Sequence, residues 1–395
     1  MRAAQTIYLD HQATTPTHPD VLAAMHPWLT EAFGNPHSSD HAIGWKSSQA
    51  VDRAAEQVAR LIGADADEIL FTSGATESNN MALLGLARRA AGGKRRRVLV
   101  SAIEHKSVLA VGRVLEEQLG FSVEHIPVDR EGFVNMDALL DALDEEVLAV
   151  SVMAVNNEIG TVQDVERIAE VAKAYGAVFH CDAGQASLAM LMDAFAGLAD
   201  MVSLSAHKMY GPKGIGALYL SHAVQPRIEP LIYGGGQQHG LRSGTTPVPL
   251  CVGMGAAAEM LRTEEIAAKR QELALRRDAF VERLHGLPWP VSVNGPSGPA
   301  RHPGNANIRF TGFSAHDILG ALQPHLAAST GSACTSGTPE PSHVLKAIGL
   351  SGDEAESSIR FSLGFDTSDE DVEAAVELIE ATLKKLSAVE QLHPV

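Results

Sequence analysis

Cysteine is scarce in this chain. Cys181, Cys251 and Cys334 are the only three in 395 residues. They are too few and too irregularly spaced for a disulfide framework, and none forms a CxxC pair, so a reducing cytosol is the expected setting. Positive charge is also short: 31 Lys+Arg against 48 Asp+Glu leave a formal charge of -17. That is the wrong sign for gripping a phosphate backbone, which excludes nucleic acid as a direct partner. No apolar run is long enough for a membrane helix, and Met1 to Asp10 lack the apolar core of a signal peptide. The protein is therefore expected to be soluble, unprocessed and cytoplasmic, with no membrane partner. Internal repeats and low-complexity tracts are missing as well. What remains is an ordinary globular composition, 45% hydrophobic and 20% charged, in a chain long enough for two domains.

Between about Ile69 and Leu220, short apolar runs alternate with capped helical patterns. The runs are Glu68 to Phe71, Arg97 to Val100, Val123 to Val128, Val147 to Val155, Ala177 to Cys181, Met201 to Leu204 and Gly216 to Leu220. This rhythm predicts an α/β fold with a large, mostly parallel sheet covered on both faces. Asp164 is placed to cap a helix from Val165 to Tyr175, and Gly176 to stop it. Beyond Gly234-Gly235-Gly236 the pattern changes. It predicts one long helix from about Val248 through Leu284, a Pro/Gly-rich connection from Gly286 to Gly304, and then a smaller α+β domain. The expected parts of that domain are a strand at Ala306 to Phe310, a helix at Ala315 to Leu322 and a terminal helix at Asp369 to Lys385. The expected division is residues 15–263 as the large domain, with 1–14 and 264–395 as the small one.

Three constellations carry chemistry. Cys334 lies in Ser329-Thr330-Gly331-Ser332-Ala333-Cys334-Thr335-Ser336-Gly337, a small, polar, glycine-bracketed stretch rather than an apolar core. A thiol there is placed to react. Phe71-Thr72-Ser73-Gly74-Ala75-Thr76 reads as a strand that ends in glycine and enters a helix, where free N–H groups and the helix dipole favour an anion. Taken alone it reads as a plain N-cap, since capping by threonine is common. Asp182 closes one apolar run and Lys208 follows another; on neighbouring parallel strands both would reach the carboxyl edge of the sheet, where ligands of such folds bind. A lysine beside a phosphate-binding helix entry, with a carboxylate to hold a protonated ring nitrogen, is what pyridoxal phosphate (PLP) requires. In isolation, Asp182 could be a cap and Lys208 a solvated charge.

Together with further motifs, these residues make the chain resemble the cysteine desulfurases of the nitrogen-fixation and iron–sulfur-assembly type, within the class V aminotransferase superfamily of PLP enzymes. The motifs include Tyr8-Leu9-Asp10, Phe33-Gly34-Asn35-Pro36, Glu104-His105-Lys106, Asn156-Asn157-Glu158-Ile159-Gly160, Arg242-Ser243-Gly244-Thr245 and Ser357-Ser358-Ile359-Arg360. The resemblance implies a fold-type-I homodimer that converts L-cysteine to L-alanine. It implies that Lys208 carries PLP as an imine, that Asp182 pairs with the ring nitrogen, that Gln185 reaches the ring hydroxyl and that His105 stacks on the ring. It gives Ala75, Thr76, Ser205 and His207 to the phosphate, with Thr245 arriving from the other subunit. It gives Asn35, Asn156 and Arg360 to the substrate carboxylate, and it makes Cys334 the nucleophile that takes up sulfur as a persulfide and passes it to a protein acceptor such as an iron–sulfur scaffold. The sequence departs from the family's commonest pattern at Gly184, at Ala206 and at His11-Gln12. Selenocysteine lysis or transamination on the same scaffold, and a binding role without turnover, are the rival readings.

Other motifs read as packing. The 17 histidines invite a metal, but His180 and Asp182 on one strand share a face that Cys181 cannot join, and no closed four-ligand spacing occurs, so no metal is expected. Cys181 and Cys251 read as small buried hydrophobes. Gly253-Met254-Gly255-Ala256-Ala257-Ala258 imitates a dinucleotide fingerprint without the strand it needs, which leaves close helix packing as its reading.

Overall fold

A computed structural model of the chain describes residues 6–331 and 342–392, with side chains as far as residue 388. Cys334 lies outside the described residues. The strands in chain order are β1 (Ile7–Tyr8), β2 (Ile69–Thr72), β3 (Arg97–Ser101), β4 (Ser122–Ile126), β5 (Val147–Ser151), β6 (Val178–Asp182), β7 (Met201–Ser205) and β8 (Gly216–Leu220). They are followed by β9 (Val291–Val293), β10 (Asn305–Phe310), β11 (Leu326–Ala327) and β12 (Ser358–Ser362). Seven of them form one sheet in the order β2-β8-β7-β6-β5-β3-β4. The run from β7 to β4 is parallel, whereas β8 is antiparallel to both of its neighbours.

Alternation along the strands divides the core into two layers. Ile69, Phe71, Leu99, Phe179, Cys181 and Leu204 pack on the face covered by helices 42–62, 165–174 and 248–260. Leu70, Val98, Val100, Val178 and Leu218 pack on the other face, under helices 75–89 and 106–119. His180 and Asp182 alternate with Cys181 and so belong to this second face. Both sheet faces are dry, which explains why the strands read as continuous apolar runs.

Antiparallel strands in the order β12-β10-β9, with helices 264–285, 315–322 and 369–392, surround a separate cluster that includes Phe280, Phe310, Phe361 and Ile379. Leu9 is buried in that cluster, and β1 pairs in parallel with β11. Residues 7–15 therefore run as a strap from the small sheet to the large one, where Thr15 N–H donates to His207 O.

Three expectations are corrected. The long helix breaks into Val248–Met260 and Glu264–His285, because Thr263 is extended and Glu264-Glu265 begin a new first turn, where acidic residues suit the dipole. The apolar run Val147 to Val155 is a strand only to Ser151; Val152 to Val155 remain buried as a loop under the cavity described below. The terminal helix continues past Lys385 to Leu392. The glycines of the false fingerprint do pack helices closely: a Cβ on Gly253 would lie 2.6 Å from Met25 Sδ, and one on Gly255 would lie 2.9 Å from Ala54 Cα.

Candidate active site

The carboxyl ends of β2, β3, β5, β6 and β7 converge with residues 10–14 and Arg360 on a cavity of about 810 Å³. Asp182 is the last residue of β6. Asn79 Nδ2 donates to its Oδ2 at 2.7 Å, and Gly184 N–H donates to its Oδ1 at 2.9 Å. Beside it, β7 turns through a single 3-10 turn, Ala206–Lys208, that brings His207 and Lys208 into the cavity. The turn is tight: a Cβ on Gly211 would lie 2.8 Å from Ala206 O. Tyr210 follows in the left-handed region at φ 60°, with its N–H held by Thr15 Oγ1 at 2.8 Å.

Lys208 Nζ donates to the carbonyls of Gln12 and Ala13 on the strap. Burial, helped by the Arg360 charge and opposed by Asp10 and Asp182, brings its ammonium down to about 7. Near neutral pH a large share of this amine is therefore unprotonated and nucleophilic.

His105 caps helix 106–119. Its Nδ1 accepts from Ser107 N–H at 3.1 Å, so in the neutral ring the proton is on Nε2. Burial lowers its proton affinity, and Asp182 partly opposes this. His207 Nδ1 pairs with Thr14 Oγ1 at 3.1 Å; burial, with Lys208 and Lys213 nearby, brings it down to about 4.

Helix 75–89 opens from Gly74, which supplies no side-chain cap, and Gly74, Ala75 and Thr76 line the cavity. A Cβ on Gly74 would meet no atom within 4 Å, so the helix entry faces open space with its first N–H groups and the positive end of its dipole. This entry, with Ser205 and His207 also on the wall, fits a phosphate. Asp182 and the half-neutral Lys208 fit the ring and aldehyde of PLP, so the donor set suits that cofactor.

Of the expected residues, Gln185 and Arg360 also line the cavity, and Gln185 Nε2 donates to Gln12 O at 2.9 Å. Three others do not line it. Asn35 is exposed, and its Oδ1 accepts from His37 N–H. Thr245 is exposed, and the preceding segment is tied to the helix entry by an ion pair between Arg242 and Glu77 at 2.8 Å. Asn156 is fully buried; its Nδ2 donates to Ile103 O and Met153 Sδ, and its Oδ1 accepts from the N–H groups of Glu158 and Ile159. Its neighbour Asn157 lines the cavity.

Sequence reasoning missed Asn79, which braces Asp182, and Glu104, whose Oε1 accepts from Met153 N–H at 2.6 Å beneath the cavity. Asn79 lies one turn into the helix whose entry drew attention, so its spacing was the available signal. Glu104 carried none beyond adjacency to His105. His180 serves the sheet rather than a metal: its ring nitrogens pair with Ser151 Oγ at 2.8 Å and Ser203 Oγ at 3.0 Å across three strands.

A doubly wound sheet with a lysine and a carboxylate at its carboxyl edge defines a PLP-dependent enzyme of fold type I, and residues 7–375 match the family model described as Aminotransferase class-V. The chain belongs to that family. Within it, the chain is 43% identical over 386 residues to "Cysteine desulfurase IscS" of Rickettsia akari, covering 98% of this chain and 93% of the relative. The same-named protein of Rickettsia prowazekii is 42% identical over the same share. Among solved structures, a "NIFS-LIKE PROTEIN" superposes with a TM-score of 0.89 at 33% identity, covering 96% of this chain and all of the other. One titled "SspA in complex with cysteine" superposes with a TM-score of 0.79 at 38% identity, over 90% of this chain and 98% of the other. The chain is accordingly a member of the IscS/NifS group of cysteine desulfurases.

Proposed function

We propose that the protein removes sulfur from L-cysteine, releasing L-alanine and leaving the sulfur as a persulfide on Cys334. The atoms balance without an added oxidant: the substrate's C–S bond breaks, an S–S bond forms at Cys334, and protons complete the alanine. The observation that carries the reading is Lys208, brought down to about 7 and facing a cavity that also holds Asp182, the open helix entry and Arg360.

PLP, when bound, supplies an electron sink for bonds broken in the substrate. Asp182, braced by Asn79 and Gly184, would keep a proton on the ring nitrogen. His105 would lie against the ring and Gln185 would reach its hydroxyl. The entry at Ala75 and Thr76, with Ser205 and His207, would hold the phosphate, completed by Thr245 of a second subunit in a homodimer. Arg360 would fix the substrate carboxylate, for which its planar fork is apt. Lys208 would take and return protons at the substrate Cα. Residues 1–14 and 264–395 would act as one unit presenting Arg360 to the large domain. Cytoplasmic delivery of sulfur to a protein acceptor, such as an iron–sulfur scaffold, completes the proposal.

The test is L-alanine formed per subunit from L-cysteine by PLP-loaded protein with a thiol reductant present and, in a separate sample without reductant, which would strip a persulfide, mass spectrometry for sulfur added at Cys334. Sulfur release with no added mass at Cys334 would move the reading to a lyase that uses no protein persulfide.

A further inference from the structure

Arg360 is nearly fully buried, and among the described residues its donors are unevenly used. Nη1 donates to Asn157 O at 2.8 Å. Nη2 donates to Asp10 Oδ1 at 2.6 Å and to Ser329 Oγ at 2.8 Å. Nε, also buried, has no partner. Nε–H and one Nη2–H form a single edge of the guanidinium, and forked recognition of a carboxylate needs both donors of an edge. Here one donor of that edge is open and the other nitrogen is occupied by a carboxylate belonging to the protein. Asp10 is itself fixed, because Ser329 Oγ also donates to its Oδ1 at 3.0 Å. Asp10, Ser329 and Arg360 all line the cavity.

We infer that Asp10 is a built-in competitor for Arg360: it neutralises the guanidinium while the cavity lacks substrate, and it lowers the affinity of that guanidinium for a substrate carboxylate. This rests on the reading above that Arg360 receives the substrate. A buried guanidinium left without a counter-charge is unfavourable, so the empty site gains from Asp10. An incoming carboxylate must displace or share that partner and meets its negative charge at close range. Asp10 touches the substrate's binding group rather than the reacting atoms, so its direct influence falls on KM.

The experiment uses holoprotein and propionate, a carboxylate without an amino group or sulfur. Asp10→Asn keeps an acceptor oxygen and removes the charge. Calorimetry should show propionate binding tightened at least about fivefold, the lower end of usual coupling between two ligands of one group. KM for L-cysteine should fall, with kcat not raised. In an Arg360→Gln background the same substitution should leave propionate binding unchanged. Unchanged or weaker propionate binding by Asp10→Asn, in protein with wild-type Tm and cofactor content, would overturn the inference. So would an equal gain in the Arg360→Gln background, which would mean a general charge effect. If Asp10→Asn does not fold, Asp10→Ser, which also keeps an acceptor and lacks charge, is held to the same outcomes. Wild-type holoprotein that makes no alanine from cysteine would sink the functional reading while leaving the propionate comparison intact.

Discussion

Asn79 and His105 are linked through one hydroxyl: Asn79 Nδ2 donates to Ser107 Oγ at 2.9 Å, and Ser107 Oγ lies 2.8 Å from His105 Nδ1. The same Asn79 amide nitrogen donates to Asp182. One side chain on helix 75–89 thus braces both the carboxylate proposed for the ring nitrogen and the imidazole proposed for the ring face. Asn79→Leu should leave Asp182 and Ser107 without that donor and cost about 1–3 kcal/mol of stability. PLP affinity should fall by about tenfold, which corresponds to about 1.4 kcal/mol. Equilibrium binding of PLP to the apoprotein checks this.

Lys208 gives a pH dependence with a defined sign. Its ammonium is brought down to about 7 in the folded apoprotein, whereas the unfolded chain keeps the ordinary lysine value of 10.5. Between those values the unfolded state binds more protons, so this group makes stability rise with pH, and the contribution is lost as pH falls through 7. Apoprotein carrying Lys208→Met should therefore melt above wild type at pH 6, and the gap should close as pH rises toward 10. In holoprotein, borohydride should fix PLP to Lys208 and to no other lysine, as judged by peptide mapping.

Glu104 titrates in the opposite sense. Complete burial, with Asp182 nearby, pushes its carboxyl well above the ordinary range. The folded state then holds a proton that the unfolded state releases, and stability falls as pH rises past the ordinary glutamate value. Glu104→Gln keeps an acceptor for Met153 N–H and should flatten this fall in stability above the ordinary glutamate value. Glu104→Ala should destabilise by about 1–3 kcal/mol, because it leaves that N–H unpartnered. Urea melts at several pH values distinguish the two.

Gly216 connects the sheet to the helix entry. A Cβ there would lie 2.5 Å from Leu204 O and 2.6 Å from Gly74 Cα, and neither backbone atom can turn aside as a side chain could. Gly216→Ala should cost about 1–3 kcal/mol by overpacking. It should also weaken PLP retention by displacing Gly74, which a melt and a cofactor titration would show together.

Cys334→Ser should bind PLP and L-cysteine yet form little alanine, since a hydroxyl is a far weaker nucleophile toward sulfur than a thiolate. Cys181→Ala and Cys251→Ala should retain turnover, because burial pushes both thiols up and leaves them inert. Alanine per subunit separates the three variants.

The parts of this molecule that were legible in the sequence are those where one physical rule dominates. Asp182 and Lys208 could be placed because apolar runs buried on both faces mark parallel strands, and strand ends mark the ligand edge. The helix entry at Gly74 to Thr76 was visible for the same reason. Val152 to Val155 misled because burial beneath a cavity selects the same residues as burial in a sheet. Asn156 and Asn157 are chemically identical neighbours, and only the fold of their turn decides which one faces the cavity. Asp10 and Arg360 are 350 positions apart, so no local pattern could pair them.

That separation has a consequence for how the protein comes into being. Residues 7–15 supply the carbonyls that hold Lys208 and the carboxylate that holds Arg360, yet β1 pairs with β11 and Leu9 packs in the later cluster. During translation Gln12, Ala13 and Thr15 can meet Lys208 and His207 once the large sheet forms, but β1, Leu9 and Asp10 lack their partners until positions more than three hundred downstream have left the ribosome. The large sheet can assemble earlier, but the far end of the strap that seats its lysine is anchored only afterwards. Tight capture of PLP should therefore come late in biogenesis, and nascent chains stalled before β12 should bind it poorly.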